Sequence, residues 1–497
     1  MARSGDRFAL LSGGDTNLNS LFVEQAKKLI KPTGMVGLLI PSGISTEKNA
    51  QEFFGGLVEG SNASCCFDFF NKRLSDGLFF EDVYYRFKFS AFAYGGPSRT
   101  FDACRFATFI RDVDELDEEG RVFEMGLDHF EHVNPNSKTA PVYRAMRDRE
   151  IVTEIYSEHS VLKRHGPAGD NTNLPVRYTT LFHMANDSKQ FRTVKELETK
   201  EGAWLEGGNT WNSPVGRWVP LFEGKMVQAF DHRASGITIV ETNAYRTGQA
   251  ADTAPEQYGD PSFSPGSRYY VKEDSNFSWE VAIKDVTSTT NTRSLIACVI
   301  PPMGAGHTLP VLKIEESNPK RRAEIGCCLL GALNSIPLDF IARTKILSNH
   351  ASWYILEQLP MIEASVFSTH RFGEIPALAV IVGAVLELTY TANDMAPFAR
   401  DMGHVDDKGD VLPPYPWDED RRLRLRAKLD AVFFHLYGIF DPANREQSRD
   451  DITYVYSTFP IVEKQEMKTH GRYLSRDLAL AYCNTLAAGH PDAEPEA

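Results

Sequence analysis

The pattern of apolar and polar positions near the N-terminus predicts a helix followed by a strand. Within residues 17–30 the apolar side chains share one helical face, while charged residues occupy the others. The sequence KPTG at 31–34 ends the helix, and the apolar run MVGLLIP at 35–41 predicts a strand covered on both faces. The apolar face of the helix consists of Leu18, Leu21, Phe22, Leu29 and Ile30.

The next three elements extend this α/β pattern. We expect a helix at about 46–58, a strand at 64–71 and a further strand at 84–96, where aromatic residues alternate with basic or small ones. A helix, a strand and then a hairpin are typical of the second half of an α/β sheet. Strand 35–41 would then lie at an exposed edge of the sheet.

The remainder of the chain divides into three parts by pattern. Residues 101–150 form a charged connector that ends in a helix, and residues 160–275 are rich in Trp, Gly, Asn and Pro. The last section of the chain, which includes 420–439, is predicted to be helical. The individual elements expected in these parts are strands within 216–233 and 292–314 and helices at 323–346, 375–390 and 420–439.

Composition excludes several classes of protein. The 497 residues predict two or three domains, and the net charge of −14 argues against a polybasic coat, although a local basic cleft is still allowed. Seven cysteines with no C-x-x-C spacing indicate reduced, buried thiols rather than a zinc site or a disulfide framework. The apolar run at 375–390 is shorter than a membrane span and contains Glu387. We therefore expect a soluble, cytoplasmic protein.

Two N-terminal blocks carry a specific resemblance. NLNSLFVEQAKKLIKPTGMVGLLIPSGI followed by CCFDFFNKRLSDGLFFEDVYYRFKFSAF resembles the back half of the catalytic domain of adenine-N6 DNA methyltransferases. Within that family, the chain resembles the large fused, type IIG-like enzymes of restriction-modification and phage-defence systems. Further blocks resemble that family's C-terminal region in the same order: WVPLFEGKMVQAFDHR, TRSLIACVIPPMGAGHT, LNSIPLDFIARTKI and RLRLRAKLDAVFFHLYGI.

The resemblance implies an α/β fold and an assignment for each part of the chain. Residues 1–100 would be the C-terminal half of a class I (Rossmann-like) methyltransferase sheet, and residues 101–150 would be a connector. Residues 151–365 would form a mixed α+β target-recognition region, and residues 366–497 a helical C-terminal region. Double-stranded DNA would be the partner.

The resemblance also implies a residue that stacks on a base. A base inside a duplex cannot reach a methyl donor, so such enzymes flip the target adenine into a pocket, where an aromatic side chain offsets the lost stacking. In GLFFEDVYYRFKF the family's stacking aromatic aligns with Phe80, and Phe79 is the near alternative. Both residues can instead be core phenylalanines beside a strand.

Two basic residues lie in the same predicted strand. Arg86 and Lys88 alternate with phenylalanines and would therefore leave the sheet on one face. On that face they can contact backbone phosphates of DNA, or they can simply be solvated.

The motifs that would carry the chemistry are absent. Reaction at the adenine amino group needs an Asn/Asp-Pro-Pro-aromatic loop, but NPNS (134–137) lacks the second proline and IPPM (300–303) lacks the Asn or Asp. S-adenosylmethionine (AdoMet) needs a glycine-rich turn after a first strand, and the cluster LSGGDTN (11–17) has too few residues before it. The family places both motifs upstream of residue 1. We therefore expect no catalytic residue and an incomplete AdoMet site in this chain.

The target-recognition part offers candidate DNA contacts. Readout of sequence needs side chains at base edges and cations at phosphates. His307 can equally be an ordinary loop residue, and Arg343 and Lys345 can pair with a helix C-terminus. FDHR (230–233) has no second cluster at ligand spacing, so no metal site is expected. The candidates are Arg217, Lys225, His232, Arg233, His307, Arg343, Lys345 and Asn349.

Two hypotheses follow. The first is a site-specific adenine-N6 DNA methyltransferase, present as a C-terminal part, whose missing half is on another chain or has been lost from a truncated gene product. The second is a non-catalytic DNA-binding specificity subunit that completes the sheet of a partner methyltransferase. Both predict DNA binding, and they differ in their dependence on AdoMet.

Overall fold

The structure is a computed structural model of the chain and describes residues 8–11, 17–167, 169–239, 248–288, 291–346 and 349–496. The chain forms two compact units. The first contains residues 1–171 together with 343–347, and the second contains residues 172–342 and 348–497.

The first unit is built on a five-stranded sheet in the order β1-β3-β2-β4-β5. Strand β3 runs antiparallel to both β1 and β2, so β1 and β2 are parallel to one another, and β4 runs parallel to β2. The strands are β1 (Met35–Pro41), β2 (Ala63–Phe70), β3 (Lys88–Gly95), β4 (Cys104–Ile110) and β5 (Phe123–Met125), followed by the two-residue strands β6 (Lys163–Arg164) and β7 (Asn171–Thr172). The helices are α1 (Leu18–Leu29), α2 (Gln51–Glu59), α3 (Leu127–Val133) and α4 (Met146–Glu158).

The elements predicted for residues 17–96 are confirmed, with two differences. The helix expected at about 46–58 begins only at Gln51. The strand expected at 84–96 begins only at Lys88, because residues 84–87 form a turn in which the Phe87 amide donates to the Tyr84 carbonyl at 2.9 Å. Residues 101–150 contribute β4, β5, α3 and the start of α4 to the first unit. They therefore extend the sheet, whereas the sequence pattern suggests a connector.

Strand β1 lies at the edge of the sheet, as expected. Among the described strands it pairs with β3 alone, and Met35 and Leu39 are exposed on one face. The prediction that this strand is covered on both faces is therefore wrong for the described residues. The apolar side chains Leu18, Phe22 and Leu29 of α1 are exposed as well. An apolar run shows that a face can be buried, but it does not show which element covers it.

A buried histidine makes the first unit sensitive to acid. The Nε2 atom of His129 in α3 lies 2.9 Å from the Tyr143 hydroxyl. Burial, assisted by the positive charges of Arg149 and Lys345, lowers the pKa of His129 from 6.5 to about 3. Between these pH values the unfolded chain binds a proton that the folded chain does not bind, so stability falls as pH falls through this window.

We expect His129 to account for about 3 kcal/mol of the stability lost between pH 7 and pH 4.5. Denaturant unfolding of the wild type and of His129→Gln at both pH values measures this contribution. The variant should lose less stability on acidification. An equal loss in both proteins would contradict the assignment.

The second unit combines small sheets with helices. One sheet has the order β14-β11-β10-β9, with β17 also paired to β11, and another has the order β16-β15-β18-β8. Strands β12 and β13 pair with each other, as do β19 and β20. The strands are β8 (Val176–Thr179), β9 (Trp204–Gly207), β10 (Thr210–Ser213), β11 (Gly216–Phe222), β12 (Ser235–Ile239), β13 (Gly248–Asp252), β14 (Tyr270–Lys272), β15 (Glu280–Ile283), β16 (Ala297–Ile300), β17 (Gly304–Ala305), β18 (Val311–Ile314), β19 (Arg371–Phe372) and β20 (Ile375–Pro376).

Helices dominate the C-terminal part of this unit, where α13 packs against α11 and α16. The fold class is therefore as predicted: an α/β sheet unit is followed by a mixed α and β region and then by a helical region. The helices are α5 (Val194–Lys200), α6 (Pro255–Tyr258), α7 (Pro319–Asn334), α8 (Ile336–Arg343), α9 (Trp353–Leu356), α10 (Ala364–Thr369), α11 (Ala377–Thr389), α12 (Ala396–Asp401), α13 (Glu419–Leu436), α14 (Arg445–Ser457), α15 (Pro460–His470) and α16 (Leu474–Ala487).

The helix predicted at 323–346 is divided into α7 and α8. Pro337 has no backbone N–H and so suits only the first turn of a helix, which makes a new start at Ile336 favourable. The Ile336 amide donates to the Asp430 carboxylate at 2.7 Å. No single helix in the described ranges is long and apolar enough to cross a membrane, and α7 and α8 pass that test only together, across a bend of 58°.

Candidate functional site

A mostly apolar cavity of about 240 Å³ lies where β1 and β2 end, and we call it the carboxyl-edge cavity. Its lining combines the end of β1, the loop after β2 and the start of β3. In open α/β sheets, ligands bind outside the carboxyl ends of the parallel strands. The cavity is therefore the part of the first unit that is placed to receive a ligand. Its lining residues include Leu39, Pro41, Asn71, Phe80, Phe87 and Lys88.

The structure separates the two neighbouring phenylalanines. The Phe79 ring packs edge-to-face on Phe69 and Phe89, at centroid distances of 5.6 and 5.4 Å, and belongs to a core cluster. The Phe80 ring contacts Phe89 edge-to-face at 5.0 Å, remains 39% exposed and lines the cavity. Of the two, Phe80 is therefore the one that offers a ring to a ligand in the cavity.

Asn71 fixes the loop that carries Phe80. It directly follows β2, is buried and uses its whole amide group: Oδ1 accepts from the Phe80 amide at 2.9 Å. Its Nδ2 donates to the carbonyl oxygens of Phe80 and Val83 at 3.0 and 2.8 Å. Its backbone amide also donates to the Phe87 carbonyl at 2.9 Å. The loop is thus tied to the rigid end of a strand.

Asn71 is not among the site residues that the sequence predicts. An asparagine directly after a strand is a local signal, because its side chain readily bonds to nearby backbone groups. That signal indicates a turn, but it does not show that the turn orients an aromatic ring.

Lys88 supplies a positive charge on the cavity wall. Its Nζ lies 4.7 Å from the Phe70 ring centre and 5.0 Å from that of Phe109. Burial lowers the pKa of Lys88, while the Asp68 carboxylate acts in the opposite direction. Burial raises the pKa of Asp68, which accepts a hydrogen bond from Ser90. The ammonium group is therefore held by aromatic rings and a carboxylate at the cavity wall.

Arg86 lies in the exposed turn before β3, so its predicted alternation with Lys88 along one strand face is wrong. Its Nε donates to the Tyr85 hydroxyl at 2.9 Å, and the guanidinium carbon lies 5.4 Å from the centre of that ring. The turn at 84–87 removes it from the pleat, because β3 begins only at Lys88.

Two candidates of the second unit are structural. The Nε2 atom of His232 lies 3.0 Å from the Asp394 carboxylate, and the histidine is buried. Arg233 is fully buried and donates to the backbone carbonyls of Asp260 and Thr391, each at 3.0 Å. The prediction that these two side chains contact DNA is therefore wrong, since both are engaged in the interior.

Lys345 is also an interior residue, although it belongs to the first unit. Its ammonium group donates to the Val133 carbonyl at 2.7 Å and to the Asn134 side chain. Burial lowers the pKa of Lys345 well below its ordinary value. Two of its donors are engaged inside the protein, and the contact of Lys345 with DNA stays a prediction.

Arg217 and Lys225 are accessible but already bonded. Arg217 forms ion pairs with Glu206 and Glu273 at 2.9 and 2.7 Å. Lys225 donates to the Gly248 carbonyl at 3.0 Å. A phosphate could reach Arg217 only by competing with two carboxylates, so the DNA role of these residues stays a prediction.

The remaining candidates have different surroundings. The ring of His307 stacks on that of His183 at 4.9 Å, and its Nδ1 accepts from the Met184 amide at 3.4 Å. Arg343 ends α8 and is half-buried, with interactions inside the protein. Asn349 is exposed. Their contacts with DNA stay predictions.

Cofactor and metal ligands are a separate question. No group of three or more His, Cys, Asp or Glu side chains in the described part of the chain is arranged to hold a metal ion. The glycine cluster at 11–17 lies mostly outside the described residues. The seven cysteines are free thiols, and burial raises the pKa of Cys66, Cys298 and Cys483.

Comparisons with known proteins give distant structural neighbours only. No protein-family profile and no curated protein sequence matches the chain. One solved structure is similar over 94% of this chain and 55% of its own, at 11% identity and a TM-score of 0.36: the type IIL restriction-modification enzyme MmeI in complex with DNA. The type IIG restriction endonuclease BpuSI is similar over 88% of this chain and 50% of its own, at 10% identity and a TM-score of 0.28. The chain thus spans about half the length of each of these two restriction enzymes.

Proposed function

We propose that the chain is a C-terminal part of a site-specific adenine-N6 DNA methyltransferase of a restriction-modification or phage-defence system. In this proposal the carboxyl-edge cavity receives an adenine rotated out of double-stranded DNA. One observation carries the proposal: a half-exposed phenyl ring, that of Phe80, is fixed beside an apolar cavity at the carboxyl ends of parallel strands. This is the place and the chemistry that a flipped base needs.

The energetics of base extrusion explain why this arrangement suits an adenine. Rotating a base out of the duplex costs a few kcal/mol of stacking and pairing. Stacking on one aromatic side chain returns about 1–3 kcal/mol. Lys88 lines the cavity, and its ammonium group, which contacts two aromatic faces and interacts with the Asp68 carboxylate, would pair with a neighbouring phosphate.

The sheet order supports the same proposal. Strand β3 is inserted antiparallel between the parallel strands β1 and β2. The parallel direction of β1 and β2 places their carboxyl ends at the same edge of the sheet, where open α/β sheets bind ligands.

We infer that this chain holds only part of an AdoMet site. Within the described ranges no strand precedes β1, which is the edge strand, and no glycine-rich turn follows an earlier parallel strand. The methyl donor would therefore be bound by the other half of the enzyme. We expect calorimetry of this chain with AdoMet to detect no binding at micromolar concentrations. Tight binding would contradict this part of the proposal.

A second candidate function is a specificity subunit that completes the sheet of a partner chain. The observation that favours it is the open edge of β1, with the exposed apolar side chains of Leu39 and of α1 beside it. Exposed edges of this kind pair readily with other strands. The subunit would bind DNA without AdoMet chemistry of its own.

The open edge predicts self-association of the isolated chain. Leu39→Lys should reduce light scattering at high protein concentration severalfold, because a charge on an edge strand opposes edge-to-edge pairing. Leu74→Lys is the matched control, since Leu74 is 66% exposed, against 64% for Leu39, but lies in the loop after β2. An equal effect of both variants, or a wild type that stays monomeric, would argue against an available edge.

Selection from a pool of randomised duplexes tests the proposed function. The chain should enrich a defined sequence that contains an adenine, and the enriched duplex should compete with bulk DNA at physiological salt. Failure to enrich any sequence would overturn both candidate functions. Enrichment of a duplex in which no adenine is extruded would favour the specificity subunit.

A further inference from the structure

We propose that the turn formed by Tyr84, Tyr85, Arg86 and Phe87 is a wedge that enters the duplex and fills the gap left by the extruded adenine. The proposal rests on the proposed function and assigns a second role beside the carboxyl-edge cavity. We call these four residues the aromatic turn.

The aromatic turn presents three rings to solvent. The Tyr84 ring lies 4.6 Å from that of Tyr85 and 6.2 Å from that of Phe87. Tyr84 is 55% and Phe87 60% exposed. Contiguous exposed apolar surface marks an interaction site, and every base has a face that stacks on an aromatic ring.

The turn is held rigidly. Its ends are joined by the hydrogen bond from the Phe87 amide to the Tyr84 carbonyl at 2.9 Å. Asn71 also fixes the turn, because its backbone amide donates to the Phe87 carbonyl and its side chain donates to the Val83 carbonyl. A wedge that is already ordered loses little conformational freedom when it inserts.

The position and the charge of the aromatic turn indicate that its partner is the stack of bases in DNA. Phe87 lines the same cavity as Phe80, so the turn lies beside the place where an extruded base would be held. Arg86 is bonded to the Tyr85 hydroxyl, and no carboxylate in the described ranges forms an ion pair with it. Aromatic rings flanked by an available guanidinium match stacked bases flanked by phosphates.

The experiment uses the full chain and the duplex that it selects from a randomised pool. Each adenine of that duplex is replaced in turn by 2-aminopurine, whose fluorescence rises when the base leaves the stack, and the responding position marks the extruded base. A second duplex lacks the thymine opposite that position. Extrusion of a bulged adenine leaves no gap, because the flanking pairs can stack on each other, so no wedge is needed.

We expect Tyr84→Ala/Tyr85→Ala, which leaves the cavity lining intact, to lower the extruded fraction about tenfold in the paired duplex and less than about twofold in the bulged duplex. Phe80→Ala should lower it in both. The wedge would be overturned if the turn variant lost extrusion equally in both duplexes. It would also be overturned if the variant extruded the adenine of the paired duplex as well as the wild type does. Failure of every position to respond in the wild type would overturn the proposed function itself, and the wedge with it.

Two controls separate the wedge from a structural role. Both rings are exposed, so the thermal unfolding of the double variant should match that of the wild type. Tyr84→Phe/Tyr85→Phe retains the rings and should restore extrusion in the paired duplex. If these conservative changes abolished extrusion, the rings would not act by stacking.

Discussion

Replacing Phe80 by alanine is expected to lower the fraction of extruded target adenine about 5- to 150-fold, which corresponds to the roughly 1–3 kcal/mol of one lost stacking interaction. Affinity for the duplex should fall less, because contacts to the backbone do not involve this ring. In an enzyme reconstituted with its AdoMet-binding half, methyl transfer should fall by a similar factor. Fluorescence of 2-aminopurine and a binding titration on the same samples measure the two effects.

Phe79 provides the control for this variant. Its ring packs on Phe69 and Phe89, so Phe79→Ala should destabilise the first unit by about 2–3 kcal/mol, somewhat below the range for a fully buried phenylalanine. Phe80→Ala should change the free energy of unfolding much less, since its ring is 39% exposed. If Phe80→Ala reduced binding and extrusion equally, the ring would not be the base platform.

Asn71→Ala is the second change with a large expected effect. It leaves the Phe80 amide and the Val83 carbonyl without their partner and removes one of the two hydrogen bonds that the Phe80 carbonyl accepts. Unpaired groups of this kind cost about 1–3 kcal/mol each when buried, and water at the loop offsets part of the loss. We expect a destabilisation of about 2–4 kcal/mol together with an extruded fraction as low as that of Phe80→Ala.

Asn62→Ala is the control that separates a loss of stability from a loss of the positioning of Phe80. Asn62 precedes β2, whereas Asn71 follows it, and its side chain also bridges two loop carbonyls, those of Gly96 and Arg99, at 3.1 and 3.0 Å. Asn62→Ala should therefore lower stability without changing extrusion at a temperature where both variants are folded. Equal extrusion in the two asparagine variants would show that Asn71 has no positioning role.

Much of the first unit could be predicted from local patterns. The helix and strand at 17–41 follow from apolar spacing and a clear stop signal, and the edge position of β1 follows from the order of elements. The aromatic and basic alternation at 84–96 predicts one strand, but the pattern does not show that its first four residues form a turn. The residue at which such a strand begins depends on long-range hydrogen bonds, such as that from the Asn71 amide to the Phe87 carbonyl.

The candidate site could be predicted only in part. The resemblance selects Phe80 over Phe79 by alignment, and the structure places Phe80 at a cavity and Phe79 in the core. Basic residues were harder to interpret, since a lysine or an arginine has the same sequence signature on a DNA-facing surface and in the interior. Arg233 and Lys345 are engaged by backbone carbonyls that lie far from them in the sequence.

The measurement that tests the account most directly is the 2-aminopurine scan of the selected duplex with the wild-type chain and with Phe80→Ala. The account predicts that one adenine position becomes severalfold brighter on binding of the wild type and that this rise is lost in Phe80→Ala, while the duplex remains bound. A duplex that binds tightly with no position responding, or a response that persists without the Phe80 ring, would contradict the claim that the carboxyl-edge cavity receives an extruded adenine.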